Sequence, residues 1–98
     1  MDIEETLEHV PTPHMTGAVE RYLRHGIHGG SFLTAVLSND LKGAAIRADM
    51  HNLVRLGHWG QWVVNYCPQA AQGSPEIVTE WCNAGGLDGL AKSEAGQG

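Results

Sequence analysis

Apolar side chains recur along most of this chain at intervals of three and four residues, the spacing that places them on one face of an α-helix. The first such segment is a helix predicted over 16–25, with Val19, Tyr22 and Leu23 on one face. Gly26 is expected to end this helix, because glycine tolerates the left-handed conformation that closes many helices. No stretch of the sequence alternates long enough to predict a strand.

A second helix is predicted to begin at Ser31, or at a residue just before it, after a short glycine turn. Gly43 weakens the helical pattern, and a third helix is predicted from about Ala44 toward Gly57. The apolar face of this amphipathic helix would consist of Ile46, Met50, Leu53 and Leu56.

The next pattern starts at His58 and predicts a fourth helix, or a kinked continuation of the third, that ends at Pro68. A further helix is expected at Ser74 and Pro75, because serine is a good N-cap and proline suits the first helical position. The glycine pair at 85–86 would end that helix. The sequence therefore predicts an all-α fold, a compact bundle of about four to five short helices.

The length of 98 residues allows one small hydrophobic core. We expect an acidic N-terminal segment over 1–15, a helical domain over 16–87 and a flexible C-terminal tail over 88–98. The tail is assigned because Leu90 is its one large apolar residue.

Charge is unevenly distributed along the chain, whose formal net charge is -5. Residues 1–20 carry five acidic and no basic side chains, whereas residues 21–60 carry five basic and two acidic ones. Residues 61–98 are acidic again. Direct binding of duplex DNA is not expected, because it needs an extended cationic face. A small, local anion site is compatible with the basic centre.

Other broad classes are excluded by composition. No apolar run approaches the length that spans a bilayer, so we expect no membrane association, and the acidic start lacks the basic region of a signal peptide. Two cysteines, Cys67 and Cys82, are too few for a disulfide framework and are interpreted as reduced core thiols. We expect no cofactor and no metal.

The most informative chemistry surrounds the turn before the second predicted helix. A helix start with preceding glycines leaves backbone N–H groups open to a phosphate, and arginine binds phosphate oxygens well. The candidate ligand-binding residues are Arg21, Arg24, His25, His28, Gly29, Gly30, Ser31 and Arg47, the last as a secondary contact. The alternative is that the Gly-Gly-Ser turn is only a connector between two helices.

Two other pairs of residues could form a metal site or a catalytic pair, but a structural role is the better interpretation of each. His25 and His28 are three residues apart, but Gly26 separates them and no third metal ligand has suitable spacing. Cys67 and His58 resemble a nucleophile and its base only formally, since Cys67 precedes a proline in an aromatic-rich region.

Polar residues inside apolar segments admit two interpretations. They either contact a nucleobase or, more commonly, cap helices and form structural pairs; the residues are Asn39, Asp40, Asp49 and Asn52. The large aromatics either stack on a base or fill the core, and a chain with one Phe needs them as core; they are Trp59, Trp62, Tyr66 and Trp81.

Several ordered motifs resemble a widespread group of small phage and prophage accessory proteins. The matching residues are Glu20-Arg21-Tyr22, His25-Gly26-Ile27, Gly30-Ser31-Phe32-Leu33, Asn39-Asp40-Leu41, Arg47-Ala48-Asp49, Asn52, Gly73-Ser74-Pro75-Glu76, Trp81 and Gly85-Gly86-Leu87. The resemblance covers roughly 19–87, and the group carries no settled activity. It implies a phage accessory protein in the host bacterial cytoplasm, of the kind that often antagonises host defence.

The expected function is therefore non-enzymatic binding of a small nucleotide-derived immune signal, of the cyclic nucleotide or ADP-ribose type. We expect a homo-oligomer, because a chain this small offers little concavity of its own. The alternative is a protein that inhibits a host defence complex such as a CRISPR-Cas effector, with Glu4, Glu5 and Glu8 imitating phosphates. A virion or replication accessory role is a third possibility.

Overall fold

A computed structural model describes the backbone of residues 2–97 and the side chains of residues 2–92. Within these residues the chain forms α-helices and two 3₁₀ turns, Pro13–Met15 and Gln69–Ala71, and no strand. The helices are α1 (Ile3–Glu8), α2 (Thr16–His25), α3 (Ser31–Leu37), α4 (Leu41–Arg47), α5 (Met50–Leu53), α6 (Leu56–Tyr66), α7 (Pro75–Ala84) and α8 (Gly86–Gln97). The predicted all-α class is confirmed, although these eight helices outnumber the predicted four to five.

The predicted boundaries of α2 and α7 are confirmed. Gly26 adopts the left-handed conformation with φ 69°, and its N–H donates to the carbonyl of Tyr22 at 2.9 Å. Ser74 caps α7 by accepting a hydrogen bond from the N–H of Ile77 at 3.2 Å. Local sequence chemistry therefore determines where α2 ends and where α7 begins.

The third predicted helix is wrong as a single element. Ala48 and Asp49 have extended backbones, which separate α4 from α5, and the Asp49 carboxylate caps α5 by accepting from the N–H of Asn52 at 2.8 Å. Aspartate at such a position favours a new helix start over a helix interior. As a result, Ile46 is 77% exposed and Met50 72% exposed, rather than turned toward the core.

Both terminal segments contain helices. Within the acidic segment, Asp2 caps α1 by accepting from the N–H of Glu4 at 3.0 Å. Residues 88–97 of the predicted tail belong to α8, and residue 98 lies outside the described residues. The flexibility of this tail remains a prediction.

Large aromatic side chains fill the core, as predicted for the tryptophans, and their polar atoms are hydrogen-bonded. The hydroxyl of Tyr22 donates to the carbonyl of Ala71 at 2.6 Å, and the indole of Trp81 donates to the carbonyl of Tyr22 at 2.9 Å. The indole of Trp62 donates to the carbonyl of Thr6 at 2.9 Å. These bonds connect α6 to α1 and α7 to α2, and they pair the polar atoms of Tyr22, Trp62 and Trp81.

Two glycines hold the end of α2 against the start of α8. A Cβ added to Gly86 would lie 2.6 Å from the backbone nitrogen of Gly26 and 2.7 Å from the carbonyl oxygen of Leu23. Gly86 also has a positive φ of 67°. Only glycine allows the backbones to approach this closely.

A buried polar contact attaches α5 to the rest of the fold. The side-chain carbonyl of Asn52 accepts hydrogen bonds from the hydroxyl of Thr12 at 2.6 Å and from the indole of Trp59 at 3.1 Å. Thr12, Asn52 and Trp59 are all buried. The structural interpretation of Asn52 is therefore confirmed, as is the capping role predicted for Asp49.

Candidate functional site

The turn before α3 has the glycine geometry that the sequence predicts, without a side-chain cap. Gly30 is the N-cap residue, with φ 93° and ψ 173°, a conformation that favours glycine. Ser31 is the first residue of the helix, and its side chain makes no capping hydrogen bond. Gly29 faces the side chain of Leu33 so closely that a Cβ would collide with it.

The predicted convergence of Arg21 and Arg24 on this turn is not observed. Arg24 donates from Nε to Glu20 at 2.9 Å and from Nη2 to Glu4 at 2.8 Å. The hydrogen bond to Glu20, followed by the charges of the two carboxylates, raises the pKa of the guanidinium. Arg21 is exposed, and its Nη1 would lie 3.3 Å from a Cβ on Gly17, one turn back along α2.

His25 is also separated from the turn. Its Nδ1 lies 2.9 Å from a carboxylate oxygen of Asp88 on α8. Arg24 and His25 were placed near the last turn of α2 by the sequence, but acidic side chains from distant segments contact both. Such pairings depend on tertiary structure and cannot be deduced from local spacing.

The other candidates are brought together in one surface groove of about 380 Å³, here called the Arg47 groove. Four of the predicted residues, His28, Gly30, Ser31 and Arg47, line it. It is completed by Thr34, Ala35, Ser38, Asp40 and Pro75. The groove therefore joins the turn before α3 to α4 and to the start of α7.

Arg47 provides the cationic group of this groove. Its Nη1 donates to the carbonyl of Gly43 at 3.3 Å, and it forms no ion pair among the described side chains. Asp40 lies in the same groove but uses Oδ1 to cap α4, accepting from the N–H of Gly43 at 2.9 Å. The guanidinium therefore keeps donors that are available to a ligand, and Asp40 keeps one acceptor oxygen.

Ser38 adds an unusual polar group to the groove. Its side chain is 9% exposed, and within the described part of the chain its hydroxyl is buried without a hydrogen-bond partner. A buried hydroxyl usually has a partner, because leaving it unpaired is unfavourable. A ligand atom in the groove is one group that could supply it.

Sequence reasoning missed Thr34 and Ser38. Both follow Ser31 at helical spacing, so the three hydroxyl residues form a polar stripe at i, i+3 and i+7 along α3. This stripe was the available signal, and the apolar residues between its members concealed it. It now accounts for one wall of the groove.

The structure offers no nucleophile at Cys67. The thiol is buried and reduced, and desolvation raises its pKa to about 12, so the reactive thiolate is scarce at neutral pH. Cys82 is also a free thiol, half-buried against the core. Among the described residues, no group of three or more His, Cys, Asp or Glu side chains is arranged to hold a metal ion.

Comparisons with protein-family models, with curated proteins and with solved structures give no match for this chain. In the part of the chain that the structure describes, every helix is too short or too polar to cross a lipid bilayer.

Proposed function

We propose that this chain is a non-catalytic binding protein that holds a small nucleotide-derived anion in the Arg47 groove. The observation that supports the proposal most strongly is that Arg47, Ser31 and Ser38 line one groove, and that the hydroxyl of Ser38 has no partner among the described residues. Charge-assisted hydrogen bonds from arginine, supplemented by hydroxyl donors, are a common means of binding phosphate.

The mixture of donors and acceptors favours a nucleotide over a simple polyanion. Arg47, Ser31 and Thr34 offer donors for phosphate oxygens, whereas the remaining oxygen of Asp40 can accept from a ribose hydroxyl or a base amino group. The volume of about 380 Å³ falls in the lower part of the usual range for small-molecule sites.

The biological setting follows from the resemblance to phage accessory proteins. In that setting the ligand is a host immune signal of the cyclic nucleotide or ADP-ribose type, and the chain sequesters it in the host bacterial cytoplasm. Sequestration needs tight binding and no chemical step, and the burial of Cys67 is compatible with this.

We further propose that a second copy of the chain covers the apolar surface of α4, α5 and α6. Six large apolar side chains in this region are 46–81% exposed: Leu41, Ile46, Met50, Leu53, Val54 and Val64. Large exposed apolar side chains on consecutive helices are typical of protein–protein interfaces. Leu41 and Val64 also line an apolar groove of about 390 Å³ that can receive side chains of the second copy.

The binding proposal is tested by isothermal titration calorimetry with cyclic mononucleotides, cyclic dinucleotides and ADP-ribose. We expect binding of at least one class and recovery of the intact ligand after the protein is denatured. Arg47→Gln should weaken that binding about tenfold or more, because a charge-assisted contact is lost. Arg21→Gln is the matched control, as it removes the same charge outside the groove. Absence of heat with the whole panel would contradict the proposal.

The second copy is tested by sedimentation equilibrium of the wild type and of Val64→Gln. We expect a wild-type oligomer that the substitution dissociates. If the wild type is monomeric at high micromolar concentration, the proposal of self-association is wrong. A different protein would then be the candidate partner for this surface.

One observation favours inhibition of a host defence complex as a second function. Glu5 and Glu8 are exposed on α1 and form no ion pair among the described side chains, so both can imitate phosphates. Glu4 is less suited to this role, since it binds Arg24. Lysine at positions 5 and 8 should abolish inhibition of an effector, whereas ligand sequestration should tolerate both changes.

A further inference from the structure

Two surface cavities that the proposed function does not use meet at Arg55. One, of about 310 Å³, is lined by His9, Pro11, Arg55, His58, Gln61, Trp62, Asn65 and Tyr66. The other, of about 260 Å³, is lined by Thr12, Pro13, His14, His51 and Arg55. Arg55 belongs to both walls, so we call the pair the Arg55 cavities.

The guanidinium of Arg55 is available to a ligand. Its Nη1 donates to the carbonyl of His51, one turn earlier, at 3.3 Å. Within the described residues Arg55 forms no ion pair, and its side chain is exposed. Since a guanidinium has five N–H donors, most of them remain free to bind an anion.

Four of the six histidines of the chain surround this arginine. His9 is held in place by stacking on Tyr66, with ring centroids 4.2 Å apart and planes 11° from parallel. His14 and His51 lie edge to face with centroids 6.0 Å apart. The imidazoles of His51 and His58 make no hydrogen bond to other described protein groups, so both can bind a ligand.

The acidic group beside His14 is already engaged. Asp49 contacts His14, with Oδ2 3.0 Å from Nε2, and its Oδ1 accepts from the N–H of Asn52. These contacts, the backbone hydrogen bond first, lower the pKa of Asp49 and keep it ionised. Besides the four histidines and Arg55, the half-buried Tyr66 is a titratable side chain of the wall.

Amide side chains extend the polar surface along α6. Arg55, His58, Gln61 and Asn65 follow one another at intervals of three or four residues, so they lie on one face of the helix over about 15 Å. Gln61 and Asn65 supply both donors and acceptors. A cation, two unpaired imidazoles and two amides together fit an anion that carries further polar groups.

We infer that the Arg55 cavities form a second binding site, for a small organic phosphate. The phosphate binds Arg55 between His51 and His58, and the organic part occupies the cavity beside Gln61 and Asn65. This site shares no residue with the Arg47 groove, so the inference can be tested independently of the proposed function.

The inference is tested by NMR, because each histidine gives a separate Cε1–Hε1 signal. The probes are adenosine monophosphate, inorganic phosphate and adenosine. Titration with the nucleotide should shift the signals of His51 and His58 and leave His25 unmoved, since His25 lies on Asp88. Arg55→Gln should weaken binding about tenfold, whereas the matched Arg21→Gln should leave it unchanged.

Each arm can contradict the inference. Equal weakening by Arg55→Gln and Arg21→Gln would show a general charge effect, and equal affinity for adenosine would show that the phosphate is not recognised. If inorganic phosphate bound as tightly as the nucleotide, the organic part of the ligand would not contribute to recognition, and the inferred ligand class would be wrong. Arg47→Gln should leave the His58 shift intact, so failure at one site is distinguishable from failure at the other. Thermal unfolding of each variant confirms that it folds.

Discussion

Two regions of the molecule are held in the fold in opposite ways. The first consists of α2, α6 and α7, and the second of α4 and α5. In the first region, aromatic rings are buried and their polar atoms donate to backbone carbonyls, as Tyr22 and Trp81 do. In the second region, the buried side chain at the centre is the amide of Asn52, and apolar side chains such as Ile46 and Met50 face outward.

This difference shows that apolar periodicity identifies a face of a helix but not what covers it. In α2 and α7 the face packs inside the chain, whereas in α4 and α5 the aspartate caps divide the pattern and turn the face outward. Burying exposed apolar side chains against a partner would be favourable. The comparison therefore separates residues that serve folding from the exposed residues that the proposed self-association would use.

The largest effect is expected where the two left-handed helix ends meet. Gly86→Ala should lower the free energy of unfolding by about 4 kcal/mol, because its Cβ would collide with the backbone of Gly26 and of Leu23. Chemical denaturation measures the change. Gly57→Ala is the control: its Cβ would meet open space in α6, so it should stabilise by about 0.5–1 kcal/mol. Equal effects would mean that the two helix ends are not in close contact.

Removal of the buried amide should have the next largest effect. Asn52→Ala leaves the hydroxyl of Thr12 and the indole of Trp59 without their acceptor, and should cost about 3 kcal/mol. Asn83→Ala, on the exposed side of α7, should change stability by less than about 0.5 kcal/mol. Denaturation midpoints that coincide for the two variants would show that α5 is not attached through Asn52.

Alkaline pH should lower the free energy of unfolding through buried groups in and beside the first region. Burial raises the pKa of Tyr22 above its usual 10.0 and that of Cys67 from 9.0 to about 12, so both stay protonated in the folded chain. The unfolded chain releases these protons first, so the stabilisation is complete below pH 9 and is lost as pH rises. We expect a loss of about 1–2 kcal/mol between pH 8 and pH 10. In Cys67→Ala the decline should begin near pH 10, and an unchanged profile would contradict the assignment.

The smallest effect on folding is expected on the outward apolar face. Ile46→Gln should change the free energy of unfolding of the monomer by less than about 0.5 kcal/mol, because the side chain is 77% exposed. Val78→Gln, at a buried position on α7, is the contrast and should be strongly destabilising. A large loss of monomer stability in Ile46→Gln would show that this face serves folding after all.

The parts of the fold that depend on residues close together in sequence could be predicted. The all-α class, the range of α2, the capped start of α7 and the core role of the tryptophans all follow from spacing and local chemistry. The break at Asp49 could not be predicted from apolar spacing. The Asp49 carboxylate caps a new helix, and this interrupts the helix that the apolar spacing predicts.

The candidate site was only partly predictable for a related reason. His28, Ser31 and Arg47 do share a groove, but Arg24 and His25 are each contacted by a carboxylate from a segment far away in sequence. Glu4 is twenty residues from Arg24, and Asp88 lies on a helix at the other end of the chain. Long-range pairing of this kind depends on the assembled fold.

The three indole N–H groups of this chain each donate to a different segment. Trp59 donates to α5, Trp62 to α1 and Trp81 to α2. Because indole emission responds to the polarity around the ring, the protein contains three intrinsic optical probes, each beside a different attachment. Replacing two tryptophans by phenylalanine would leave a spectrum that follows the detachment of a single segment, and would show in which order the parts of the molecule separate.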